Sequence, residues 1–289
     1  RDPLALQAAL RDADIGRPET RPAADGLPLD GSWLCKTYRG ASGSGVWLLD
    51  GAAARQRAET QQAVFQRRVP GEPYAAVFVA RAGPAALLGV TRQLVGWNPA
   101  RPFQYVGSIG PVELEPAVLR EFDALGATLA TRFALQGLVG VDFVLHDRRA
   151  WLVEVNPRYT ASVEILERAA QRSAISLVAN WCSAGPPPAR PPGPGRPLLS
   201  TVSHVHGKAI VFAPAAVPIS ESFARWTAEQ TADALADPPL ADLPRAGDEV
   251  LAGGPLLTVF ASAPSVQQCD AQLRQRVAMV EWRPYAAGR

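Results

Sequence analysis

Between Gly140 and Arg158 the chain reads Gly-Val-Asp-Phe-Val-Leu-His-Asp-Arg-Arg-Ala-Trp-Leu-Val-Glu-Val-Asn-Pro-Arg, and no other stretch restricts the fold as tightly. Apolar residues alternate over Val139–His146 and again over Ala150–Val155, which predicts two strands joined by a turn at Asp147-Arg148-Arg149. A hairpin symmetric about Arg148 sets Asp142 opposite Glu154. Side chains alternate along a strand, so Glu154 and Asn156 share a face with Asp142. The other face then carries Val141, Phe143, Leu145, Trp151, Val153 and Val155. Like charges directly opposite destabilise a sheet, so a positive group is expected between the two carboxylates. Hard oxygen ligands of this kind suit Mg²⁺. An amphipathic hairpin with a solvated acidic face is the competing account, and the hairpin alone does not separate the two.

The basic residues narrow the choice. Of 29 Lys plus Arg, only Lys36 and Lys208 are lysine. Where arginine serves for generic charge, a lysine that persists marks a position that needs a compact ammonium. Lys36 ends a short apolar strand, Ser32–Thr37, and Arg39-Gly-Ala-Ser-Gly-Ser-Gly45 follows it. Small residues let backbone N–H groups approach an anion and cradle phosphate. The lysine precedes this loop and no helix follows it, which excludes a P-loop and a dinucleotide fingerprint. Phosphate binding and an ordinary hairpin loop both fit this stretch when it is taken by itself.

Other features bound the class. The 289 residues, 47% of them hydrophobic and with a net charge of +2, suit a globular protein with a substantial core. No apolar run approaches the ~20 residues of a membrane helix, and the N-terminus carries no signal-peptide pattern. Cys35, Cys182 and Cys269 have neither metal spacing nor a disulfide framework, so a cytoplasmic protein is expected. The chain predicts helices over residues 3–13, with Asp2 as cap, and over 116–136, 161–182 and 265–279. Strands are expected at 63–69, 74–80 and 85–94 as an antiparallel meander, with a loop over 96–111 that carries Trp97, Phe103 and Tyr105. Gly185–Pro197 reads as a Pro/Gly linker. The resulting division is 1–73, 74–184, linker 185–197, and a β-rich segment 198–289. His204 and His206 lack a third ligand nearby and read as structural.

Taken in order, these pieces resemble the ATP-grasp superfamily, an α+β fold in which two lobes sandwich ATP. More closely, Val-Pro-Gly-Glu-Pro-Tyr-Ala-Ala-Val-Phe-Val-Ala, Tyr105-Val-Gly-Ser-Ile-Gly-Pro and Asn156-Pro-Arg-Tyr-Thr-Ala-Ser-Val-Glu resemble a subgroup related to biotin carboxylase. That subgroup includes the tyramine–glutamate ligases of methanofuran biosynthesis and similar carboxylate–amine ligases. The resemblance implies that Lys36 meets phosphate and that Arg39, Gly40, Ser42, Gly43 and Gly45 form the loop over the nucleotide. It implies adenine contacts along Gln66, Arg67 and Val69, and offers Glu72 for ribose, although Pro73 stands at the usual position of that carboxylate. It gives Asp142, Glu154 and Asn156 as ligands of two Mg²⁺ ions, with Mn²⁺ as an alternative, and Arg158 at the substrate or acyl phosphate. Nothing in the chain corresponds to the N-terminal domain that precedes these lobes in the family.

The expected function is therefore ATP- and Mg-dependent amide formation between a small carboxylate and an amine, through an acyl phosphate, in one-carbon cofactor biosynthesis. A biotin-carboxylase-like carboxylase and a non-catalytic ATP-binding module are the alternatives. No nucleic-acid or membrane partner is expected, and a homodimer is compatible with the sequence.

Overall fold

In the computed structural model, residues 2–11, 15–38, 40, 42–81, 85–183, 197–199, 203–232 and 237–286 are described. The first lobe holds α1 (Pro3–Arg11), β1 (Thr20–Arg21), β2 (Trp33–Lys36), β3 (Val46–Leu48), α2 (Ala52–Thr60) and β4 (Val64–Arg67). Asp2 caps α1 as its side chain predicts, accepting from Leu4 N at 2.9 Å. The four strands pair antiparallel in the order β1-β4-β2-β3. Trp33, Cys35, Leu49 and Phe65 are buried in the core of this lobe together with Ala58 of α2.

The rest is organised on one sheet. β5 (Glu72–Arg81), β6 (Ala85–Val95), β7 (Tyr105–Gly110), α3 (Pro116–Arg132), β8 (Gln136–His146), β9 (Arg149–Asn156), α4 (Ala161–Ala170) and α5 (Ala174–Ser183) follow in order. Then come β10 (Val205–Phe212), β11 (Val217–Pro218), α6 (Glu221–Ala232), β12 (Leu240–Ala241), β13 (Glu249–Val250), β14 (Pro255–Ala263), α7 (Val266–Glu281) and α8 (Arg283–Ala286). Eight strands run in the order β12-β14-β10-β7-β6-β5-β8-β9, while β11 and β13 pair apart from them. Residues 184–196, which include most of the expected linker, lie outside the described residues. Strands from both sides of that gap join in this sheet, because β10 pairs with β7.

Alternation assigns the faces. Even-numbered Ala76, Phe78 and Ala80 of β5 pack with Phe122 of α3 and Phe143 of β8. Phe122 meets Phe143 edge-on at 5.0 Å, and burying each ring contributes about 1.5–3 kcal/mol. Odd-numbered Val77 and Val79 face Val163 and Leu166 of α4 and Trp181 of α5. A third core lies under α7, with Ala209, Val211, Cys269 and Leu273.

Two expectations change, and one element had not been expected. Residues 105–110, expected as loop, form β7 in the middle of the sheet. Gly107 explains how: a Cβ there would stand 2.0 Å from the Lys208 carbonyl oxygen, so only glycine admits β10 at this distance. The helix expected over 161–182 is two helices, α4 and α5, broken at Gln171 with φ 51°. The helix α6 over 221–232 was not legible in the pattern.

Candidate active site

The β8–β9 hairpin does set Asp142 opposite Glu154, and Gly140 opposite Asn156. The route differs from the symmetric one. Asp147 and Arg148 both have positive φ, 49° and 61°, and form a two-residue turn with His146 opposite Arg149. That turn shifts the register by one residue. A bulge restores it: Asp142 opposes Glu154 but Phe143 opposes Leu152, so Val153 is the unpaired residue. Beyond the bulge the faces exchange. Ala150 and Leu152, not Trp151 and Val153, join Phe143 in the core.

The bulge serves the site directly. Lys36, at the end of β2, donates to the Val153 carbonyl at 3.3 Å and to Gln66 Oε1 at 3.2 Å. Gln66 is buried, and its Nε2 donates to Thr20 Oγ1 at 3.2 Å. The lysine of the first lobe thus crosses to the floor formed by the large sheet. Burial pulls its pKa down, while Glu154 and Asp142 oppose that shift and favour the ammonium.

On the floor, Asp142 Oδ1 accepts from Gln93 Nε2 at 2.8 Å, and its Oδ2 accepts from Asn156 Nδ2 at 3.1 Å. Arg158 Nη2 in turn donates to Asn156 Oδ1 at 3.3 Å. Desolvation and then the Glu154 charge push the Asp142 carboxyl up to about 7, against the opposing pull of Lys36. Two facing acids, one of them pushed up by burial and by the charge of the other, with an amide alongside, form a donor set that fits a hard divalent cation. Among the described residues no group of three or more His, Cys, Asp or Glu could hold a metal, so this mixed carboxylate–amide set is the candidate.

The loop after Lys36 is tight. Thr37 N–H donates to Gly45 O at 3.0 Å. A Cβ on Gly40 would stand 3.1 Å from the Gly45 Cα, and one on Gly45 would stand 2.1 Å from Thr37 Oγ1. Ser42 and Gly43 both have positive φ. Arg39 lies outside the described residues. Gln66 and Arg67 are on β4, but the Arg67 N–H is taken by Glu19 O at 2.8 Å and is not free for a ligand. Val69 lies between β4 and β5. Glu72 is not brought to the cluster. It lies at the start of β5, 3.4 Å from Arg92, and lines a cavity of about 750 Å³ with Val112, Leu119 and Ser265.

Some polar residues around the site, Gln93 and Ser108 among them, were missed, and others had been named without a role there. Gln93 sits in a strand whose sequence looks like plain meander, and it reaches Asp142 diagonally, two residues beyond the Thr91 that is in register with Asp142 through Ala75. Tyr105 OH lies 2.8 Å from Ser108 Oγ, and Ser108 is in register with both Gln93 and Lys208. Lys208 Nζ is 2.6 Å from Glu164 Oε2, and Arg168 Nε is 3.6 Å from Glu164 Oε1. The scarcity of lysine had pointed to Lys208; its partner Glu164 closes the motif that begins at Asn156 but had been given no role. His206 Nε2 lies 3.5 Å from Ser262 Oγ, and His204 Nδ1 lies 3.2 Å from Ser203 Oγ.

Comparisons with known proteins bear on the fold and on the family. The chain has the fold of an L-amino acid ligase from Bacillus licheniformis, with a TM-score of 0.68 at 15% identity over 95% of this chain and 70% of that one. It is equally similar to a carboxyaminoimidazole ribonucleotide synthase from Aspergillus clavatus complexed with ATP, with a TM-score of 0.68 at 14% identity over 98% and 73%. The carbamoyl phosphate synthase large chain of Helicobacter pylori is 34% identical over 59 residues, which is 20% of this chain and 5% of that protein. No helix among the described residues is long and apolar enough to cross a membrane. A model of the ATP-grasp domain matches residues 1–162, more than half of the chain, and the protein belongs to the ATP-grasp family.

Proposed function

We propose that this protein is an ATP-dependent carboxylate–amine ligase acting on small molecules. The observation that carries the reading is the meeting of Lys36 from one lobe with the Val153 bulge of the other, beside Asp142 and Glu154. A lysine at the mouth of a glycine loop and two acids on the facing floor are the charges that a metal–triphosphate requires.

Lys36 and the amides of residues 42–45 bind the outer phosphates, and Glu154 and Asp142 favour the ammonium against the burial that pulls its pKa down. Asp142, Glu154 and Asn156 would hold Mg²⁺, with Mn²⁺ as an alternative, and the metal supplies charge neutralisation at the transferred phosphoryl group. A substrate carboxylate oxygen attacks the γ-phosphorus, the bond to ADP breaks, and an acyl phosphate forms. The amine nitrogen then attacks the acyl carbon, inorganic phosphate leaves, and the amide nitrogen loses its proton. Arg158, which donates to Asn156 Oδ1, would stabilise the oxyanion of that carbon. Positioning and electrostatics carry the rate, with no covalent bond to the protein.

Phosphate release tests this. Glu154→Gln should lower ATP turnover at least about 100-fold while circular dichroism stays unchanged. Near-normal turnover in that variant removes the central claim. A screen of amino acids against amines, with glutamate and tyramine as the first pair, tests the pathway that the motifs suggest. Release that depends on bicarbonate rather than amine would make the protein a carboxylase.

A further inference from the structure

The segment between β6 and β7 supplies no ligand to the Asp142 cluster, yet it touches both the glycine-rich loop and, in the C-terminal part, the turn before β14 and the helix α7. It is closed on itself. Gly96 N–H donates to Gln104 O at 2.9 Å, Arg101 N–H to Asn98 O at 2.9 Å, and Gln104 N–H to Arg101 O at 3.0 Å. The neck requires glycine: Gly96 has φ +67°, and a Cβ there would stand 2.4 Å from the Pro102 carbonyl oxygen.

One side of this ring is fixed to the C-terminal part. Arg101 Nη1 donates to Gly253 O at 3.1 Å. The guanidinium of Arg274, on α7, lies 4.3 Å from the centroid of the Trp97 ring, and Trp97 also packs on the core under α7. The opposite side meets the first lobe. Tyr105 N–H donates to Ser42 O at 3.1 Å. Gly43, at φ +79°, approaches the Phe103 backbone so closely that a Cβ would stand 1.7 Å from its carbonyl oxygen. Both contacts are main chain on main chain. They ask of the loop only that residue 43 carry no side chain.

We infer that residues 96–104 are the seat on which the glycine-rich loop closes, and that the C-terminal part of the chain holds this seat in position. The importance of the loop for ATP rests on the ligase reading; the seating contact does not. Tyr105 belongs to both surfaces. Its main chain holds Ser42, and its hydroxyl lies 2.8 Å from Ser108 on the floor. The turn at Gly253 and the helix α7, which add nothing to the Asp142 cluster, thereby govern where the loop lies.

Amide hydrogen exchange on the nucleotide-free full chain tests the seat from both directions. Arg101→Ala and Trp97→Leu, on the anchored side, should speed exchange of residues 42–46 about two- to tenfold, as expected when a contact worth one backbone hydrogen bond weakens. Gly43→Ala, on the loop, should speed exchange of the Tyr105 amide by a similar factor. Amides of β4 should not change in any variant. Arg101 is exposed, so its variant carries the test where Trp97→Leu fails to fold. Wild-type exchange at 42–46 in Arg101→Ala, or at Tyr105 in Gly43→Ala, overturns the inference. Binding of a fluorescent ATP analogue is measured separately: its absence in wild type counts against the ligase reading and leaves the exchange result to judge the seat.

Discussion

Lys36 Nζ and the carbonyl oxygen of Val153 lie 3.3 Å apart across the cleft, and Val153 is the one residue by which β9 exceeds β8 at this point. A bulge turns a carbonyl away from the ladder and leaves it without a strand partner. Here the freed acceptor is met by an ammonium from another sheet.

Replacing that ammonium by an apolar chain of similar length should act on two levels. Lys36→Met should lower ATP-dependent phosphate release at least about 100-fold, through loss of a charge aimed at phosphate. It should also lower the melting temperature of the metal-free protein, because Asp142 and Glu154 lose a neighbouring cation. Magnesium should restore much of that loss. Calorimetry with and without Mg²⁺ checks the second effect independently of turnover.

Asp142 sets a pH dependence. Its carboxyl lies at about 7 in the folded protein against an ordinary 3.8, mainly through desolvation and then through Glu154. A raised acid pKa means that the folded state holds the proton more tightly than the unfolded one. The stability this contributes is complete below pH 4 and is lost as pH rises toward 7. Melting temperatures of the metal-free protein should therefore carry a falling component between pH 4 and 7 that Asp142→Asn removes. Binding of Mg²⁺, which competes with the same proton, should strengthen across that interval.

Gln93 holds Asp142 by a 2.8 Å hydrogen bond without being a candidate ligand itself. Gln93→Leu should weaken Mg²⁺ affinity about 10- to 100-fold, the usual effect of removing an outer partner of a ligand. Titration of Mg²⁺ at saturating nucleotide reads this. An unchanged affinity would show that the contact orients nothing.

Gly107→Ala should cost at least about 1–3 kcal/mol, since the added methyl must displace the Lys208 carbonyl from 2.0 Å. Denaturant unfolding measures this, and the lost protection should centre on β7 and β10.

The site was legible to different depths for physical reasons. Asp142 and Glu154 could be paired from alternation alone, but the pairing was right through two departures that cancel. The turn is one residue shorter than the symmetric fold requires, and the bulge at Val153 makes up the difference. Neither carries a mark in the sequence: Asp-Arg lacks the glycine that usually announces such a turn, and Val153 is as apolar as its neighbours. Misplacing Trp151 and Val153 followed from this. β7 was hidden for another reason. Val-Gly-Ser-Ile-Gly shows little alternation, and it is a strand because β6 and β10 supply its partners. Gln93 was invisible because its contact with Asp142 spans three strands of the sheet, an order that local pattern does not contain. Lys36 was legible because lysine is rare here and glycines follow it.

The pairing of β7 with β10 also bears on how the chain can be divided. The family match stops at residue 162, near the start of α4, which invites a cut there, ahead of β10. Such a cut would turn Tyr105–Gly110 into an open edge, with its hydrogen-bonding groups unpaired and Val106 and Ile109 stripped of their cover. An edge that long and apolar recruits other chains. Residues 1–162 expressed alone should form soluble aggregates by light scattering, and the shortest well-behaved piece should extend at least through β14 and α7.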